Sequence, residues 1–136
     1  MSRGAAPAHG AEVTIERIVE WPDTDAAGHY HHSTVIHWVE AAEAQLHEDL
    51  DVLQLYGVVP RTTYHAEYFA RLWFRDRVTI RLRVAEMGRA SIRYEFDVRR
   101  GDELAVRGEM KAMQIDQGRG VSVPWPDDIR AKFLPA

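Results

Sequence analysis

The sequence predicts a single α+β domain in which one long helix lies against an antiparallel sheet. Three observations carry that prediction. Residues 12–21 alternate apolar and polar side chains, and Val35, Trp38, Val39, Ala42 and Leu46 recur at helical spacing. Beyond Pro60, the runs Val78, Ile80, Leu82, Val84 and Ile92, Tyr94, Phe96, Val98 alternate with polar residues at period two. One helix can cover one face of such a sheet. The other face is then the charged one, and the edge strands are free to pair with another subunit.

Taken in order, residues 1–10 are rich in Ala, Gly and Pro and show no periodic apolar face, so they are expected to form a disordered N-terminal arm before a domain spanning 11–136. In the first strand Val13, Ile15, Val19 and Trp21 share the apolar face, Arg17 and Ile18 break the pattern, and Pro22 ends it. The helix should start near Ser33, whose hydroxyl can cap the first turn, and run to about Leu50. Ala41, Ala42 and Ala44 keep it narrow. Gly57 and Pro60 punctuate the connection to a strand carrying Tyr64, Ala66 and Tyr68. Turns at Gly88 and at Arg100-Gly101-Asp102 separate the next strands, and the last strand runs from Leu104 to about Ile115. In the tail, Val121, Val123 and Trp125 can pack in extended form before a short helix over 129–133.

Composition narrows the function. The 136 residues are 46% hydrophobic, enough for one continuous core. With 21 acids against 17 bases, the net charge of -4 leaves no electrostatic footprint for nucleic acid. The absence of cysteine removes disulfides, thiolate metal sites and cysteine nucleophiles together. No segment reaches the roughly 20 apolar residues of a membrane span, and the first ten residues lack a signal-peptide core, so a cytoplasmic location is expected.

Chemistry concentrates in Asp23-Thr24-Asp25-Ala26-Ala27-Gly28-His29-Tyr30-His31-His32, directly ahead of the helix. A loop aspartate can ionise, a glycine allows a sharp turn, and the amides opening a helix attract negative charge. The residues alone also fit a pair of turn aspartates, one of them capping a loop amide. Although His29, His31, His32 and His37 are crowded, their spacing does not converge on one ion, so no metal is expected. Arg81, Arg83, Arg89, Arg93 and Arg99 suggest a basic surface, yet Glu95, Asp97 and Glu109 interleave with them in a pattern of cross-strand ion pairs.

The run Asp23-Thr24-Asp25-Ala26-Ala27-Gly28, the polar residues after it and a helix containing Trp38 and Glu40-Ala41-Ala42 resemble the hotdog-fold acyl-CoA thioesterases of the 4-hydroxybenzoyl-CoA thioesterase type, including the Tol-Pal-associated thioesterases of bacteria. The resemblance covers residues 13 to about 115, and Val123-Pro124-Trp125-Pro126 looks like the family's usual close. It implies an antiparallel sheet wrapped around the long helix. By it, Asp25 is the catalytic carboxylate, as nucleophile or as general base, and Asp23 supports the loop. The amide of His32 polarises the thioester carbonyl, and Gly28, His29, Tyr30 and His31 lie on the substrate side. Arg89, in a turn, is the arginine expected to meet the phosphates of coenzyme A. The resemblance further implies a homodimer or homotetramer with sites at subunit contacts, and an acyl-CoA or acyl-carrier-protein substrate with no cofactor.

Another branch of hotdog thioesterases takes its carboxylate from the helix. Because the loop aspartate is present here, Glu40 and Glu43 are expected to be solvated or at a subunit contact. Three other readings stay open: a hotdog hydratase or dehydratase using Asp25 and His31, a non-catalytic acyl-CoA-binding module, and release of an acyl group from a biosynthetic carrier protein.

Overall fold

Alternation along the strands becomes layered packing once the strands are in register. The computed structural model describes residues 10–25, 28–30 and 32–135. Its strands are β1 (Glu12–Ile18), β2 (Arg61–Tyr68), β3 (Arg77–Met87), β4 (Ser91–Arg100) and β5 (Glu103–Met113), in the spatial order β1-β3-β4-β5-β2 with every neighbour antiparallel. Ile80 faces Val98, Leu82 faces Phe96 and Val84 faces Tyr94 across β3 and β4, and all six are buried. The rows continue onto β5, where Val98 meets Val106 and Tyr94 meets Met110.

The long helix α1 (His32–Asp49) covers this face with Val35, Trp38, Val39, Ala42 and Leu46, and packs against β1 and β3. Burying side chains of this size contributes about 1.5 to 3 kcal/mol each. A short C-terminal helix, α2 (Asp127–Phe133), closes the core with Ile129 and Phe133. This is the expected α+β hotdog arrangement. Among the described residues, no helix is long and apolar enough to cross a membrane.

The opposite face carries the charge, and its charges are matched in rows. Arg81 pairs with Asp97 and Arg83 with Glu95, each across β3 and β4. Glu95 and Glu109 stand directly opposite one another on β4 and β5, a repulsive placement. Arg93 resolves it by donating from one guanidinium nitrogen to both carboxylates, at 2.9 and 3.2 Å.

Several boundaries differ from expectation. β1 stops at Ile18, because Val19 turns its amide to Asp76 O and its carbonyl to the amide of Arg75. Trp21–Asp23 then form a 3-10 turn with Pro22 near its start, so Trp21 leaves the core face, is 68% exposed and meets Phe74 edge-on. α1 begins at His32, one residue before the expected cap, so Ser33 lies inside its first turn. β5 ends at Met113, since the next two amides bond outside the ladder, to Ala90 O and Val58 O. α2 starts at Asp127, where two aspartates favour the positive helix end, and Val121 stays exposed. Residues 1–9 of the expected arm lie outside the described residues, but Gly10 is packed: its amide bonds Val84 O, and a Cβ there would meet Val84 and Phe133 at 2.6 Å.

Candidate active site

The loop before α1 is folded back on itself by its own backbone. Thr24 and Tyr30 form an isolated antiparallel bridge, the Asp25 amide donates to His29 O at 2.9 Å, and the Gly28 amide returns to Asp25 O at 3.0 Å. Gly28 has φ +88, a left-handed conformation that residues with a Cβ rarely adopt. His29 then bridges Trp73, and the Tyr30 amide donates to Leu72 O at 2.7 Å, which ties the loop to the β2–β3 connection.

Side chains fix the loop against α1. Asp23 accepts the Glu20 amide at 2.8 Å, and the Thr34 hydroxyl in the first turn of α1 donates to Asp23 O at 3.1 Å. Tyr30 is buried on Trp38 with the rings nearly parallel and 6.4 Å apart, and its hydroxyl donates to Ala70 O. Burial, with Tyr68 nearby, pushes the Tyr30 phenol up to about 12. It is therefore neutral and acts as a wall. Tyr68 donates its hydroxyl to His32 O at 2.9 Å, clasping the end of β2 to the start of α1.

These contacts enclose an open cavity of about 380 Å³ bordered by Asp25, His29, Tyr30, His32, Tyr68 and Phe69. Arg71 also borders it. Asp25 Oδ2 lies 3.9 Å from His29 Nδ1, and both side chains are partly exposed, at 35% and 25%. The cavity thus joins a solvent-accessible carboxylate to the N-terminal end of an 18-residue helix. That combination can place a base or nucleophile beside a site for negative charge.

Of the residues expected at the site, Asp25, His29, Tyr30 and His32 line this cavity, and Gly28 shapes the turn behind it. His31 lies outside the described residues. Arg89 sits in the β3–β4 turn, at the opposite end of β3 from Arg77, with its guanidinium 3.4 Å from Ser122 Oγ. A larger hollow of about 450 Å³ on the outer sheet face is lined by the ion pairs described above. Arg81, Arg83 and Arg99 there already have carboxylate partners, and Arg107 lies over the Phe69 ring.

Glu43 is not solvated. It is buried at 6% exposure, bonded to Arg61 of β2, and its neighbour one turn on, His47, is buried with Nε2 3.1 Å from the Tyr94 hydroxyl. Burial pushes the Glu43 carboxyl up, with Arg61 opposing, while burial and Arg61 push His47 down to about 4. These groups border a second cavity of about 310 Å³. The sequence carried one signal for this: Glu43 and His47 are four apart, and Leu46 between them is core.

Comparison with known proteins agrees with this fold. Residues 19–133 match the thioesterase-like superfamily. No curated protein matches the chain. A predicted thioesterase from Bacillus stearothermophilus superposes with a TM-score of 0.83 at 21% identity, over 90% of this chain and 94% of that one. A 1,4-dihydroxy-2-naphthoyl-CoA thioesterase from Synechocystis gives 0.81 at 17% identity over 90% and 95%. A thioesterase from Thermus thermophilus, solved with coenzyme A and Zn, gives 0.80 at 23% identity over 90% and 97%.

Proposed function

The chain belongs to the thioesterase-like superfamily and is a thioester hydrolase, and from that premise we propose that it cleaves an acyl-CoA to the free acid and coenzyme A, with Asp25 as the catalytic carboxylate. One observation carries the assignment: Asp25 and the start of α1 at His32 border the same cavity. The thioester carbonyl sits between them. Asp25 attacks it to give a mixed anhydride that water then opens, or removes a proton from water that attacks directly. In either route the C–S bond breaks, the thiolate leaves and takes up a proton, and water supplies the acid's second oxygen.

Negative charge builds on the carbonyl oxygen as the tetrahedral intermediate forms. The backbone amide of His32, at the positive end of α1, is the donor we assign to it, a contribution of about 3 to 4 kcal/mol for one such donor. His29, Tyr30, Tyr68 and Phe69 form the walls against the substrate.

We assign the active form as a homodimer joined along β2. That strand is an edge of the sheet, paired to β5 alone among the described strands, and exposed along most of its length. Antiparallel pairing with its own copy brings the Tyr68 end of one chain beside the Arg61 end of the other. It also carries Arg89 of the partner subunit toward the end of the sheet that holds Asp25, which is how Arg89 can reach a phosphate of coenzyme A.

The experiment is release of free thiol from short, long and aromatic acyl-CoAs, native protein against Asp25→Asn, with the mass in solution measured on both. Turnover lost in the folded variant supports the assignment. Equal turnover in both removes Asp25 from the chemistry, and binding without turnover in the native protein makes the chain an acyl-CoA-binding module.

A further inference from the structure

Most arginines among the described residues are engaged: Arg119 pairs with Asp116, Arg17, Arg89 and Arg130 bond oxygen atoms, and Arg107 lies over the Phe69 ring. Those at positions 61, 81, 83, 93, 99 and 100 each lie within 4 Å of a carboxylate. Arg71, on the β2–β3 connection, has no ion pair or hydrogen bond among the described residues, is exposed, and borders the cavity that holds Asp25. A side chain with five donors and a fixed charge is therefore left uncommitted at the mouth of the candidate active site. The aromatic side chains of Tyr68 and Phe69 line the approach to it.

Size decides which part of a substrate it meets. Arg71 borders the same cavity of about 380 Å³ as Asp25, which puts it beside the site proposed above for the thioester. The sulfur and the first phosphate of coenzyme A are separated by roughly 15 Å of extended pantetheine arm. An anionic group on the acyl side fits a cavity shared with Asp25 better than so distant a phosphate does. We propose that Arg71 holds an oxyacid group of the substrate, the second carboxylate of a short dicarboxylic acyl group, and thereby sets acyl preference at the site proposed above. The inference rests on that site being where the thioester binds. Because Arg71 is exposed, the attraction weakens as salt is added.

The test compares kcat/KM for succinyl and butyryl thioesters, each on coenzyme A and on N-acetylcysteamine, which lacks phosphate. The native protein should favour the succinyl group on both carriers. Arg71→Gln should lower the succinyl-to-butyryl ratio about tenfold to a hundredfold, and Arg71→Lys should restore part of it. An unchanged ratio overturns the proposal. So does a loss seen with coenzyme A but absent with N-acetylcysteamine, which assigns Arg71 to phosphate, or a loss accompanied by dissociation of the oligomer, which makes it an interface residue.

Binding separates this inference from the hydrolysis it rests on. Calorimetry of succinyl-CoA and butyryl-CoA with Asp25→Asn, and with Asp25→Asn combined with Arg71→Gln, reads the preference without turnover. If native protein hydrolyses none of the short, long or aromatic acyl-CoAs but succinyl-CoA binds more tightly through Arg71, the hydrolase reading fails and Arg71 keeps its role. Hydrolysis with no Arg71-dependent preference has the opposite meaning.

Discussion

Arg61 of β2 is bonded to Glu43 of α1, and the pair joins the edge strand to the central helix with the carboxylate side chain at 7% exposure and the guanidinium at 30%. Arg61 also donates from Nε to Met110 Sδ at 3.0 Å. Because the carboxylate is the deeper member, removing its partner is the damaging change. Arg61→Met should cost about 3 to 5 kcal/mol in urea unfolding at neutral pH and fixed protein concentration. The loss should shrink as pH falls, since burial pushes the Glu43 carboxyl up and favours its taking a proton. The double variant Glu43→Leu, Arg61→Met should recover most of the stability. Equal losses in single and double variants would show that the pair is not coupled.

His47 makes the fold sensitive to mild acid. Its ring is buried and neutral, held down to about 4 by burial and by Arg61, while in the unfolded chain it titrates near 6.5. The unfolded state therefore binds the proton first as pH falls. Stability from this group is complete above pH 6.5 and is lost progressively down to about pH 4, by about 3 kcal/mol in all. Glu43, with a raised carboxyl, does not add to that loss, because its proton binds more readily in the folded chain. Urea unfolding between pH 7 and pH 4 should show the slope, and His47→Gln should flatten it.

What the sequence made legible follows from how local each determinant is. Strands β3 and β4 and the helix α1 are written in periodicity, so their existence and faces were readable within a residue or two. Trp21 was misplaced because alternation describes side-chain direction only while the strand continues, and β1 leaves the ladder at Val19 to bond the backbone of Arg75 and Asp76. Those partners lie more than 50 residues away, beyond any local pattern. The loop from Asp23 to His32 was legible as chemistry, but the clasp of Tyr68 on His32 and the opening of Arg71 into the same cavity depend on the return of β2 to the helix. Glu43 looked like a surface acid because its counter-ion is 18 residues on, in a strand whose register the sequence does not state.

Gly108 lies inside β5, and a glycine inside a strand marks a close approach of other atoms. In the fold, Phe96 stands opposite it on β4, with its ring stacked on Tyr64 5.7 Å away. A Cβ at Gly108 would lie 2.6 Å from Phe96 Cζ and 2.1 Å from His65 O, and the second of these is backbone of β2. A ring can turn aside, but a strand cannot without losing its ladder. Gly108→Ala should cost about 1 to 3 kcal/mol or more in thermal or urea unfolding, and should loosen β2 from β5. Amide exchange in β2 that stays at native rates would contradict this account.

Gly28 should separate stability from catalysis. A Cβ there meets only Trp73 Cζ3, at 3.9 Å, so Gly28→Ala has room for the methyl group. The difficulty is φ +88, which costs an L-residue about 1 to 2 kcal/mol and is relieved by rotating the backbone toward negative φ. That rotation would move the Gly28 amide away from Asp25 O and shift the carboxylate relative to the start of α1. Small displacements of reacting groups are expensive: about 1 Å can cost a hundredfold in rate. Gly28→Ala should therefore lower kcat at least tenfold while unfolding changes by only about 1 kcal/mol, and Gly28→Asn, which tolerates the left-handed region, should keep more activity than Ala. Unchanged kcat in Gly28→Ala would mean that the turn does not set the position of Asp25.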